Sequence, residues 1–230
     1  MRLAAVFSTL QPLLDGTAEA GGVARALYGD AAARATAGLQ VYAETCHKLR
    51  RDAIDVIHAG TCAAIVARAG EERWAQLVDA YFRERAAECF ELNENPAGFA
   101  EFVARQAGTP AWVRELAALE WATWRAESAP DDLRDSSDGP LRAATSLVVL
   151  RCAWDLTGWL EAGAPEAEPD AGEVAVAVWR DRELDACRAT PTDEELAAIE
   201  AALAGAPQPW VADEVVADLH AAGIFVGALG

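Results

Sequence analysis

Apolar residues recur every three or four positions through the first half of the chain, and every second position in part of the second half. Leu3, Phe7, Leu10 and Leu14 share one helical face, while Gln11 and Asp15 interrupt the run. That spacing predicts an amphipathic opening helix rather than a secretory segment. Ala20–Tyr28 is short and apolar and stops at Gly29-Asp30. In Ala32–His58 the residues Leu39, Tyr42, Cys46, Leu49, Ala53, Val56 and Ile57 fall at three- and four-residue steps, which predicts one or two helices with a buried stripe. Thr61–Ala69 and Glu71–Glu88 repeat the pattern, the second with Trp74, Leu77, Val78, Tyr81 and Phe82. Asn95 followed by Pro96 reads as an N-cap and a first helical position, before inward-facing Phe99, Phe102 and Val103. Thr109-Pro110 then opens a helix over Ala111–Arg125, with Trp112, Leu116, Leu119 and Trp124 on its apolar face. A helical bundle over residues 1–126 is the expectation.

Residues 127–143 lose the pattern and gather Ser, Pro, Gly and carboxylates, as an acidic linker or exposed loop does. From residue 144 the period changes. Ala144–Leu150 is compact and β-prone and leads into Trp154–Leu160. Gly163–Gly172 is loop-like, with Pro165 and Pro169. Val174, Val176 and Val178 alternate with Ala175, Ala177 and Trp179; Arg180-Asp181-Arg182 is placed as a turn, and Leu184, Ala186 and Arg188 alternate again. This is a hairpin whose apolar content expects cover on both faces. Thr192 with Glu195 forms a capping-box signature ahead of Leu196, Ile199, Ala202 and Leu203. A last helix spans Trp210–Ala222, with Gly223 as its stop. Residues 144–230 therefore read as a small winged-helix-like domain with a β-hairpin and C-terminal helices, and the whole chain as α+β.

Composition narrows the function. At 230 residues, 53% hydrophobic and 24% charged, the chain can bury a substantial core. No apolar run reaches the roughly 18–20 residues of a membrane span. Five cysteines, odd in number and without a Cys-x-x-Cys pair, fit reduced thiols, and a cytoplasmic location is expected. Met1–Arg125 carries 13 basic and 16 acidic residues, whereas Ala126–Gly230 carries 6 and 21. A half so acidic repels phosphate backbones, which bind through Lys and Arg.

Signatures of catalysis are missing from the sequence. His47 and His58 lie eleven residues apart, not the three or four typical of helical metal ligands, although Cys46 and Cys62 fall nearby. The serines have no neighbouring histidine and no Gly-x-Ser-x-Gly turn, and the glycines form no phosphate-binding loop. Eight tryptophans mostly fit apolar stripes; Trp179, at a strand end before Arg180, is the one placed on a binding surface.

Several segments resemble the HvfC/BufC-type family. Val41-Tyr42-Ala43-Glu44-Thr45-Cys46-His47-Lys48-Leu49 is similar to its V-Y-R-N-N-V-x-x-x-L opening, with Ala43-Glu44-Thr45 where the family has Arg-Asn-Asn. Trp74–Phe82 resembles F-x-x-L-A-x-A-Y, Phe99–Val103 resembles F-P-x-F-L, and Leu116–Ala122 is the sharpest match, to L-A-x-L-E-W-A. The resemblance implies a non-catalytic partner of a TIM-barrel multinuclear non-haem iron oxygenase that modifies ribosomal precursor peptides. Iron is then expected in the partner enzyme and no cofactor in this chain. The C-terminal part resembles a RiPP recognition element, a module that captures a leader peptide. The family's N-terminal domain also carries a DNA-binding label, so a winged-helix transcriptional regulator is the alternative. For peptide capture, an unpaired strand edge accepts an extended chain, and the groove beside it reads side chains. The candidate peptide-binding residues are Val176, Val178, Trp179 and Arg180 of the hairpin, with Val215 and Leu219 of the last helix.

Overall fold

The computed structural model describes residues 3–85, 92–131, 139–163, 167–206 and 211–228. The chain is α+β and divides into two compact units, Met1–Thr109 and Pro110–Gly230. The division falls one helix earlier than the 126/127 boundary expected from the change of period.

The first unit is helical: α1 (Leu3–Leu14), α2 (Ala20–Tyr28), α3 (Ala32–Ile57), α4 (Ala59–Ala69), α5 (Glu71–Glu84), a 3-10 segment Leu92–Gly98, and α6 (Phe99–Arg105). One aromatic group sits at its centre. Phe99 is fully buried and meets Tyr81 and Trp74 edge-on, at ring-centroid distances of 5.2 and 5.5 Å, and His58 at 4.9 Å. Such edge-to-face pairs add to the stabilisation from burial alone.

The buried side of α3 is rotated from the expected stripe. Ala43, Arg50, Ala53, Ile54 and Ile57 face inward, whereas Tyr42, Leu49 and Val56 are exposed. Arg50, only 2% exposed, lies on this buried side. Its Nη1 donates to Leu14 O at 3.3 Å, its Nη2 to Arg85 O at 3.1 Å and its Nε to Asn95 Oδ1 at 3.1 Å. Leu14 ends α1 and Arg85 caps α5, so one guanidinium serves carbonyls that helix ends leave without intrahelical donors. The same contact removes Asn95 from the expected N-cap position. Its carbonyl also accepts from Tyr81 Oη at 2.5 Å, and α6 starts later, after Gly98. Residues 86–88, the expected end of the fifth helix, lie outside the described residues.

The second unit starts with α7 (Ala111–Glu127), followed by β1 (Arg142–Ala143), β2 (Val148–Trp154), α8 (Leu156–Glu161), β3 (Ala171–Arg180), β4 (Ala186–Ala189), α9 (Asp193–Leu203), α10 (Asp213–Ala221) and β5 (Phe225–Val226). The middle of the expected acidic linker, 132–138, and Trp210, the expected start of the last helix, lie outside the described residues. The main sheet is antiparallel in the order β2-β3-β4, and β1 pairs with β5 in a second, two-stranded sheet.

Alternation along β3 buries both of its sides, as its apolar content expected. Ala177 and Trp179 face a cluster with Leu147, Ala198, Ile199, Leu219, Ile224 and Phe225, under α9 and α10. Val176, Val178 and Arg180 face the other way, in register with Leu150 and Val148 of β2, against α7. The sheet is thus sandwiched between helices, and α7 belongs with it. Local signals fix the ends: Thr192 and Glu195 form the full capping box on α9, and Gly223 stops α10 with φ +81°.

Candidate functional site

The hairpin that was to carry the site is built differently at its turn. Arg180 stays in β3, and the reversal occupies Asp181–Asp185. Asp181 Oδ1 accepts from the backbone N–H of Glu183 at 3.0 Å and of Asp185 at 2.9 Å, the local bonding that makes aspartate a turn residue. Leu184 takes φ +76°, so the second strand begins only at Ala186.

This geometry moves four of the predicted binding residues onto the central strand. Val176 and Val178 have no exposed surface; β3 is paired on one side by β2, and its Ala177–Arg180 end is paired on the other side by β4. Trp179, expected on a binding surface, is 8% exposed, and its indole Nε1 donates to Ala222 O at 2.8 Å. Arg180 is buried too: its Nη1 donates to Glu127 O at 3.0 Å, and its N–H donates to Ser146 Oγ at 3.1 Å. Leu219 is buried in the cluster beneath α10, and Val215 packs half-buried against the same cluster. Alternating apolar residues mark a covered strand, but they do not say whether it lies at the centre or the edge of a sheet.

The two outer margins of the sheet differ. On the β2 side, the Ala153 N–H is taken by Glu115 Oε2 of α7 at 2.8 Å. A polar depression of about 450 Å³ opens there, lined by Glu115, Arg151, Cys152, Ala153, Glu173, Val174 and Ala175. Burial, and then the Glu115 charge, push the Cys152 thiol up to about 11. It therefore stays protonated at neutral pH and is a poor nucleophile.

On the other side, β4 has β3 as its one strand neighbour among the described residues. Cys187 and Ala189 of β4, with Val211, Val215 and Val216 from the α10 end, are half-buried against the same apolar cluster. An open strand edge thus runs beside partly covered aliphatic side chains. Sequence reasoning passed over Cys187 and Ala189, and their alternation with Arg188 on a strand following a turn was the available signal.

Among the described residues, no group of three or more His, Cys, Asp or Glu is placed to hold a metal ion, and no helix is long and apolar enough to cross a membrane. Cys187 is pushed up to about 11, by burial first and then by its hydrogen bond to Asp181 and the charges of Asp181, Asp185 and Glu183.

No family model and no curated protein matches this sequence.

Proposed function

We propose that this chain is a non-catalytic partner that captures a ribosomal precursor peptide along β4 and presents it to a multinuclear non-haem iron oxygenase. The observation that carries the reading is the strand Ala186–Ala189, which has one strand neighbour among the described residues and whose Cys187 and Ala189 pack on the same apolar cluster as half-buried Val215 and Val216. An extended peptide completes such a ladder with main-chain hydrogen bonds, while pockets for alternate side chains supply selectivity. Support also comes from the order of elements, a strand, the short helix α8 and a two-stranded hairpin followed by two helices, as the resemblance to a leader-binding module implies. The peptide contacts move outward from β3 to Cys187, Arg188 and Ala189, with Val215 retained from the earlier set. The acidic character of the chain's second half weighs against the DNA-binding alternative.

The test is to find a multinuclear iron oxygenase and a short precursor peptide encoded beside this chain and to reconstitute modification with them. Peptide modification is expected to require this chain, and amides within Ala186–Ala189 are expected to gain hydrogen-exchange protection when the peptide is added. Leu184→Pro should abolish capture, because proline cannot adopt φ +76° and removes the N–H that Leu184 donates to Asp181 O. Full modification without this chain, or unchanged exchange along β4 with the peptide bound, would refute the proposal.

A further inference from the structure

The open edge is bracketed by negative charge at both ends. At the Ala186 end lie Asp181, Glu183 and Asp185 of the turn. At the Ala189 end lie the first turns of α9, with Asp193, Glu194 and Glu195, and of α10, with Asp213 and Glu214. The first turns of the two helices are held side by side, since Glu194 Oε1 accepts from the Ala212 N–H at 2.8 Å. Two of the cations nearby are Arg182, whose Nη2 donates to His220 O at 3.0 Å, and exposed Arg188. Some of the carboxylates already serve the fold, Glu195 in the capping box and Asp181 in its turn.

Resting on the peptide-capture reading above, we infer that the segment taken up at β4 is an extended stretch of about four residues with basic side chains at both ends. Four strand residues span about 13 Å, which sets the separation of the two positive charges. Between them, side chains pointing towards α10 meet Val215 and Val216 and are apolar and small, matching the half-buried Cys187 and Ala189 on the receiving strand. A second copy of this chain is a poorer occupant of the edge. Pairing β4 with β4 would set two identical acidic rims against each other, and like charges across an interface oppose association.

The experiment uses the full chain and three fluorescein-labelled peptides, read by fluorescence anisotropy. Each has a core of alternating valine and threonine, flanked at both ends by lysines, by glutamines or by glutamates. The lysine-flanked peptide is expected to bind about tenfold more tightly than the glutamine-flanked one, and the advantage should collapse between about 50 and 500 mM salt. Neutralising the rim with Glu183→Gln, Asp185→Asn, Asp213→Asn and Glu214→Gln together should remove the preference and leave the glutamine-flanked peptide's affinity unchanged. Circular dichroism of that variant checks that the fold is intact. Equal binding of all three peptides overturns the charge inference and leaves peptide capture standing. Failure of all three to bind or to protect β4 amides overturns both. Concentration-dependent dimers in sedimentation that Arg188→Pro disperses assign the edge to a second copy and overturn the inference as well.

Discussion

Replacing Arg50 with methionine tests whether a buried cation organises the helical unit. Methionine keeps the stem's apolar volume but strands three acceptors, Leu14 O, Arg85 O and Asn95 Oδ1, which now receive bonds of 3.1 to 3.3 Å. Each buried acceptor left without a donor costs about 1–2 kcal/mol. The loss of the guanidinium, 4.4 Å from the Phe82 ring centroid, adds about 1 kcal/mol. Set against this is the penalty of burying the guanidinium. It is visible in a pKa that burial lowers and that Asp15, Tyr81 and Cys46 partly restore. The expected net loss is about 3–4 kcal/mol. Trp74 is the only tryptophan before Thr109, so fluorine NMR of 5-fluorotryptophan protein reports unfolding of this unit through one resonance. Its urea midpoint should fall accordingly, and a double-mutant cycle with Asn95→Ala should show coupling of about 1 kcal/mol. A loss under about 1 kcal/mol would mean that water or a rearranged side chain serves those helix ends, and the argument that Arg50 organises this unit would fail.

Three shorter tests address the second unit. Leu184→Gly should stabilise it by about 0.5–1 kcal/mol in denaturant unfolding, since glycine adopts positive φ without a Cβ penalty. Gly227→Ala should destabilise it by more than about 2 kcal/mol: the position has φ +110°, and a Cβ there collides with the Pro140 carbonyl, which no side-chain rotation relieves. Cys187 should resist iodoacetamide at pH 8, with alkylation rising as pH approaches the raised thiol pKa of about 11, followed residue by residue in digested peptides by mass spectrometry. Asp181→Asn removes both a hydrogen-bond acceptor and a negative charge that favour the protonated thiol, so its alkylation profile should shift to lower pH.

Features set by neighbours in sequence were legible. Thr192 and Glu195 cap α9 because both reach the same backbone turn, Gly223 stops α10, and the apolar alternation of β3 does reflect cover on both sides. Features set by partners distant in the chain were not. The apolar stripe of α7 has the same period whether it faces helices or a sheet, so nothing in Ala111–Glu127 says that it packs on β2 and β3. Tyr42, Leu49 and Val56 suited a buried stripe, but Arg50 lies inward instead and donates to two helix ends. The burial of Val176 and Val178 was hidden for a related reason. Val176 and Val178 lie against α7 with β2 alongside, and both the α7 packing and the register Val148↔Val178 and Leu150↔Val176 are long-range.

Pairing between β1 and β5 joins Arg142 to Val226 and Ala143 to Phe225, bringing the start of the sheet-bearing segment against its last strand. Phe225 is fully buried in the cluster beneath α9 and α10. During synthesis, this apolar centre therefore waits for nearly the whole segment to leave the ribosome, with β3 made and its valines unshielded meanwhile. Closure over so long a stretch of chain slows folding. Until Phe225 emerges, the apolar faces of β3 stay open to wrong partners.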